Sequence, residues 1–135
     1  MDISNALDIS TSGMDAQSMR LRVIAENLAN QDTTGSTPGA DPYRRKTITF
    51  GETVDRASGQ SEVTVKNIGQ DQSAFNTHYD PSHPAADAAG YVKTPNVSSF
   101  VELMDMREAE RSYSANLNVM QTTRSMMTRT IDLLK

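Results

Sequence analysis

Two histidines, His78 and His83, stand with Asp80 and Asp87 around the run His78-Tyr79-Asp80-Pro81-Ser82-His83-Pro84, the grouping in this chain that comes nearest to a set of metal ligands. A zinc site needs three or four donors converging on one tetrahedron, often two of them one helical turn apart. Pro81 and Pro84 exclude that helix, and the run supplies no third ligand at a recognised spacing, so it is expected to be a turn. Serine and threonine are plentiful, yet no Gly-x-Ser-x-Gly turn presents one of them as a nucleophile, and two histidines are few for a hydrolytic triad. Gly35-Ser36-Thr37-Pro38-Gly39 resembles a phosphate loop only in its glycines. It follows a helical segment rather than a strand and lacks the Gly-Lys-Ser/Thr ending, so a flexible linker is expected. Glu108 and Glu110 belong to the charge-laced stretch Glu102 to Arg111, where a solvated or interfacial role outweighs acid–base work. The chain is therefore read as a non-enzyme, with no cofactor, no metal and no small-molecule substrate.

Charge and composition narrow the partners. The net charge is -4 over 135 residues, and Arg44-Arg45-Lys46 is the single basic cluster, which disfavours a nucleic-acid partner. There is no cysteine, so folding rests on packing alone. Hydrophobic residues make up 36% and aromatics 5% of the chain, with no Trp, which leaves a thin core or one shared with other molecules. No apolar run reaches the roughly 18 residues of a membrane span. The first nineteen residues carry Asp2, Asp8 and Asp15 without Lys or Arg, unlike a cleaved secretory signal. Export, if it occurs, is expected to use another route.

The elements that would present these residues divide the chain into three: 1–30 and 96–135 as helices of one axial domain, and 31–95 as loop and small β lobe. In the first segment Leu7, Met14, Leu21 and Leu28 recur every seven residues, with Ile3 and Ile24 four positions before Leu7 and Leu28. Ala6, Gly13, Ala16, Ala25 and Ala29 beside this seam permit close approach of a partner helix. Gly13 and the Ser/Thr group at 4 and 10–12 lower intrinsic helicity, so the first dozen residues are expected to depend on packing for order. In the last segment Leu103, Met106, Tyr113, Leu117, Met120, Met127, Ile131 and Leu134 fill eight of ten seam positions, and Val119, Met126 and Leu133 widen the apolar face.

Glu110 and Arg124 break that seam, and polar groups at such positions set register, so an opposite charge or amide such as Arg20 or Gln17 is expected opposite them, in this chain or a neighbour. The late methionines, at helical spacing, are core or interface. Ser99-x-x-Glu102 reads as a capping box after Pro95, starting the second helix between about 96 and 100. Tyr43 to Phe50 and Ser61 to Ile68 read as strands separated by Gly51 and a turn at Gly59, 69–90 as an irregular loop, and Tyr91 to Lys93 as a short strand. The fold class expected is mainly α: long terminal helices paired as an antiparallel coiled coil, a β-rich middle lobe and long loops. Such rods, about 42 and 55 Å long, leave apolar outer faces for neighbouring subunits.

Four stretches resemble a known family. They are Ser12-Gly13-Met14-Asp15-Ala16-Gln17 with Arg20-Leu21 and Ile24-Ala25-Glu26-Asn27-Leu28-Ala29-Asn30; Pro42-Tyr43-Arg44-Arg45-Lys46; Tyr79-Asp80-Pro81-Ser82-His83-Pro84 leading to Gly90-Tyr91-Val92-Lys93-Thr94-Pro95-Asn96-Val97; and Met104-Asp105-Met106 through Arg111-Ser112-Tyr113-Ser114-Ala115-Asn116. Together they resemble the bacterial flagellar axial proteins, the proximal rod group in particular. Thr33 to Asp41 is longer than the family's usual turn, and Glu102 to Arg107 differs in detail. The resemblance implies a structural subunit of the periplasm-spanning rod that transmits motor torque, exported unfolded through the flagellar type III apparatus. It implies as partners further copies, other rod proteins and the adaptor joining rod to export gate. The rival reading from the residues is a soluble coiled-coil adaptor or chaperone.

Overall fold

The computed structural model describes residues 3–54, 59 and 61–133. Leu134 and the side chain of Ile3, both assigned to the seams, lie outside what is described. Helix α1 spans Ile3–Ala29 and helix α2 spans Ser99–Asp132, with four strands between them: β1 Lys46–Val54, β2 Ser61–Gln70, β3 Asn76–Tyr79 and β4 Tyr91–Thr94. The chain is mainly helical with a β-rich middle. No helix among the described residues is long and apolar enough to cross a membrane.

The Ser/Thr group near the start of α1 lies within the helix, and its hydroxyls are satisfied on the helix itself. Ser10, Thr11 and Ser12 donate to the carbonyls of Ala6, Leu7 and Ile9 at 2.7, 2.8 and 2.9 Å. At the other end Asn30 closes the helix, its amide donating to the Glu26 carbonyl at 2.9 Å. Helix α2 begins within the expected window, but not through the expected capping box. Glu102 is fully buried and turned away from the helix start, and the Ser99 hydroxyl donates to Gln31 instead.

The strands correct the sequence reading in three places. Strand β1 starts at Lys46 rather than Tyr43, and the Arg45 N–H just before it donates to the Asn96 side chain at 2.8 Å. Gly51 lies inside β1 rather than ending it; a Cβ there would stand 3.2 Å from Lys66 Cβ, so the glycine permits close strand approach. Thr53 and Thr64 face each other at 3.0 Å, which with Gly51 opposite Lys66 makes the β1–β2 sheet antiparallel. The third correction is β3, inside the stretch read as irregular. It pairs antiparallel with β4 in the register Asn76 to Thr94 through Tyr79 to Tyr91. All four β3 residues are exposed, so no alternation marks the strand. Its pairing is set by the turns between, where Asp80 accepts from Ser82, Asp87 accepts from the N–H groups of Ala89 and Tyr91, and Gly90 takes a φ of 84°.

Two compact units result. One gathers Met1–Leu21, Ile48–Asn67 and Met106–Lys135; the other gathers Arg22–Thr47 and Ile68–Asp105. In the first, Ser10, Met14, Ala16 and Ala109 are buried; in the second, Val23, Ile24, Asn27, Val92, Pro95 and Glu102.

Candidate assembly interface and the network behind it

In the second unit Asn27 and Glu102 are buried beside apolar Val23, Ile24 and Val92, and their polar atoms are matched by partners. Asn27, on α1, donates from Nδ2 to the Lys46 carbonyl at 2.9 Å and to Glu102 Oε2 at 3.1 Å. Its Oδ1 accepts from the Lys46 N–H at 2.9 Å and from the Tyr43 hydroxyl at 2.8 Å. Both donors and both acceptor positions of the amide are thus used, which fixes its orientation. The other oxygen of Glu102 takes Arg45 Nε at 2.5 Å, and the same guanidinium reaches Asp105 at 3.3 Å and Asp71 at 3.9 Å. Lys46 Nζ pairs with Glu26.

Around this centre the 71–75 segment is pinned. Asn96 donates to the carbonyl of Asp71 and to Ser73 Oγ at 3.1 and 2.9 Å, while Arg44 donates to the Asp71 and Ser73 carbonyls and lies 4.1 Å from the centre of the Phe75 ring. Hydrogen bonds from Ser73 hold the Asp71 carboxyl below its usual range, and Lys93 does the same for Asp41, from which its ammonium is 2.7 Å away. Burial, with Glu26 and Glu102 adding to it, pushes the Tyr43 phenol up to about 12. Every strong charge here is answered inside the network. What the arrangement accomplishes is mechanical: it ties α1, the start of β1, the 71–75 segment and the start of α2 together.

The motif residues Asn27, Tyr43, Arg45 and Asn96 carry a sequence resemblance, but nothing in their spacing assigns them to one cluster, and the local pattern of Glu102 reads as a cap. A signal was present. Gly13, Arg20 and Asn27 recur every seven residues, as do Glu102, Ala109, Asn116 and Thr123, each row lying one position before an apolar seam row.

In the first unit those rows meet. A Cβ at Gly13 would stand 2.7 Å from the Asn116 amide, and Arg20 pairs with Glu108 at 3.6 Å, so numbers rise along one helix as they fall along the other. Ala109 is wholly buried. Small and polar residues therefore form the close contact, and the apolar seams flank it. Of the seam residues on α1, Met14 and Ile24 are buried in their respective units while Leu7, Leu21 and Leu28 are half-buried. On α2, Met106, Leu117 and Met120 are half-buried, and Leu103, Tyr113, Met127 and Ile131 are exposed. Phe100, Val101 and Met104 add to the uncovered set near the start of α2, and Val119, Met126 and Leu133 near its end, with Phe100 at 72% and Leu133 at 87% of full exposure. Glu110 and Arg124 are exposed, and Arg20 reaches Glu108 rather than Glu110. Gln17 Oε1 is buried without a hydrogen-bond partner.

The residues of the His78–His83 stretch serve its turns: His83 Nδ1 accepts from the Ala85 N–H at 3.1 Å, and Asp80, held below its usual range by Ser82, caps the turn before it. No group of three or more His, Asp or Glu side chains among the described residues is placed to hold a metal ion.

Comparison with known proteins gives these faces a context. Residues 7–37 match the family described as flagella basal body rod protein, and residues 88–133 match the flagellar basal body rod FlgEFG protein C-terminal family. The flagellar basal-body rod protein FlgC of Agrobacterium fabrum is 55% identical over 98% of this chain and 96% of its own length. The protein of that name from Salmonella typhimurium is 43% identical over 98% of both chains, and the one from Bacillus subtilis 36% identical over the whole of both. With likeness of that degree running from end to end, the chain belongs to the FlgC family of flagellar basal-body rod proteins.

Proposed function

We infer that the chain is a structural subunit of the bacterial flagellar basal-body rod, one of the units stacked into the drive shaft that carries torque for motility. The observation that carries this reading is the inversion of polarity between the two sides of α2: buried positions are Glu102 and Ala109, while Phe100, Leu103, Met104, Val119, Met126 and Ile131 are left in solvent. Large exposed apolar faces are stabilised when covered, at about 25 cal/mol per Å² of apolar area. A monomer designed to remain alone would place them the other way round.

In this reading segments 1–30 and 96–135 form an axial antiparallel coiled coil and 31–95 a lobe with loops that makes lateral contacts. Leu7, Met14, Leu21, Ile24, Leu28, Leu103, Met106, Tyr113, Leu117, Met120, Met127, Ile131 and Leu134 supply the interface, with Glu110 and Arg124 selecting register from its rim. Its partners are further copies, other rod proteins, the adaptor between rod and export gate, and the type III export apparatus through which it passes without a cleaved signal. The role needs interlocked contacts and no reactive group, so no catalysis or cofactor is assigned to it.

The test is genetic and biochemical. The gene is deleted and restored as intact chain or as a form lacking residues 1–20, and purified basal bodies are probed with an antibody against residues 51–90. Intact chain in the rod, with loss of rods and swimming in the truncated form, supports the reading. Normal basal bodies with the chain confined to the soluble fraction as stable dimers would overturn it in favour of a soluble adaptor or chaperone.

A further inference from the structure

Within the first unit a groove of about 310 Å³ runs between α1 and β2, lined by Ser12, Asp15, Ala16 and Met19 from the helix and by Glu62 to Val65 from the strand. The Ser12 hydroxyl sets its width, donating to the Ile9 carbonyl at 2.9 Å and accepting the Val63 N–H at 3.3 Å. Ala16, Met19, Val63 and Val65 are among the residues that line it, and the two charged residues of the lining, Asp15 and Glu62, are both negative. No ion pair to either carboxylate is found among the described residues.

The same unit holds a segment with the opposite character. Every residue from Arg124 to Leu133, the last turns of α2 and the residue after it, is exposed. Met126, Arg129 and Leu133 fall at positions i, i+3 and i+7, which places a guanidinium between two large apolar side chains on one face. Arg124 adds a second positive charge, and Asp132 is the single acid from 124 to 133. An apolar stripe with a central cation is the complement of an apolar groove bearing two carboxylates.

The helix end cannot fill the groove of its own chain. Gly13 opposite Asn116 and Arg20 beside Glu108 place groove residues 12 to 19 level with α2 residues of about 109 to 117. Met126 is at least nine residues further along the same helix, roughly 13 Å at 1.5 Å per residue, and a helix does not fold back. We propose that the groove between α1 and β2 receives the Met126–Leu133 end of α2 from a second copy of this chain, with Arg129 set against Asp15 and Glu62. The contact is head-to-tail, because groove and helix end are different surfaces, and so it propagates rather than closing as a two-fold dimer. This rests on the rod reading above and supplies one of its subunit contacts.

The chain has no cysteine, so a site-specific cross-link reports the contact directly. Full-length Val63→Cys and Thr130→Cys chains are expressed together in cells lacking the native copy, and basal bodies are isolated under mild oxidation. A disulfide product of twice the chain mass that requires both variants is expected. Arg129→Glu should lower that product about tenfold, and Arg129→Glu combined with Asp15→Arg and Glu62→Arg should restore it, which separates a broken contact from a broken fold. Chain incorporated in the rod without the cross-link, or a cross-link indifferent to charge reversal, overturns the proposal and leaves the rod reading standing. A product of another mass means a different protein occupies the groove and also overturns it. Unsubstituted chain absent from basal bodies removes the rod reading, and this inference with it.

Discussion

Replacing Glu102 by Leu tests the buried network most directly, because the substitution keeps bulk and apolar contact while removing the acid. Glu102 is fully buried and loses two partners, Arg45 Nε at 2.5 Å and Asn27 Nδ2 at 3.1 Å. Truncating one member of a buried ion pair costs about 3–5 kcal/mol, chiefly because the remaining charge is stranded. Here the stranding is partial: Arg45 is about one-fifth exposed and keeps Asp105 at 3.3 Å, and Asn27 Nδ2 keeps the Lys46 carbonyl. The expected loss is therefore at the low end, about 3 kcal/mol. Urea unfolding of the purified chain, followed by circular dichroism, should show a lower midpoint at unchanged slope. Glu102→Gln should cost less, since its amide oxygen still accepts from one neighbour. A double-mutant cycle with Arg45→Met should give a coupling of about 1–3 kcal/mol. If Glu102→Leu unfolds within 0.5 kcal/mol of the parent, the network is not what holds the four segments together, and the reasoning fails.

Other consequences follow from single contacts. The Tyr43 phenol, near 10 when unfolded and about 12 in the fold, contributes stability that is complete below pH 10 and disappears as pH rises through 12; phenolate absorbance should titrate late for this tyrosine, and Tyr43→Phe should remove that dependence. Gly13→Ala should gain less than the about 1 kcal/mol of helix propensity it offers, because the new Cβ displaces the Asn116 amide, and should gain the full amount in an Asn116→Ala background. Gly90→Ala forces a φ of 84° on an L residue and drives its Cβ to 2.8 Å from the Tyr79 ring, so amide exchange at 76–79 and 91–94 should accelerate. Phe100→Ser with Met104→Ser should leave the unfolding midpoint within about 0.5 kcal/mol yet abolish incorporation into basal bodies.

The helices were legible in the sequence because apolar residues repeat along them over many turns, and their limits, Ala29 and Ser99, fall where Asn30 and Pro95 imply. Strand β3 was not, since Asn76 to Tyr79 have no buried face and are held by a partner strand that begins only at Tyr91. The network was not either. A polar residue on a helix is ordinarily solvated, and only the folded chain brings the Lys46 backbone to Asn27 and the Arg45 guanidinium to Glu102. Capping chemistry misled at Ser99-x-x-Glu102 because the local pattern is satisfied equally well by a glutamate that points away from the helix start.

The direction of the helices follows from the same competition. Apolar periodicity locates where apolar side chains must end, and in a chain that works alone this is its own interior. Here the row one residue before the seam also turns inward, through Asn27 on α1 and Glu102 and Ala109 on α2, with Gly13 and Asn116 in close approach beside the buried seam residues Met14 and Ile24. Small residues let the helices approach, and matched polar groups make that approach specific, because a slip of one turn would strand Glu102 without Arg45 and Asn27. Apolar contacts tolerate such slips. Assigning the discriminating contacts to the interior and the permissive ones to Leu103, Met104, Met126 and Ile131 gives a subunit whose own fold is fixed while its outer faces accept neighbours in somewhat different settings, a division suited to a shaft built from more than one kind of chain.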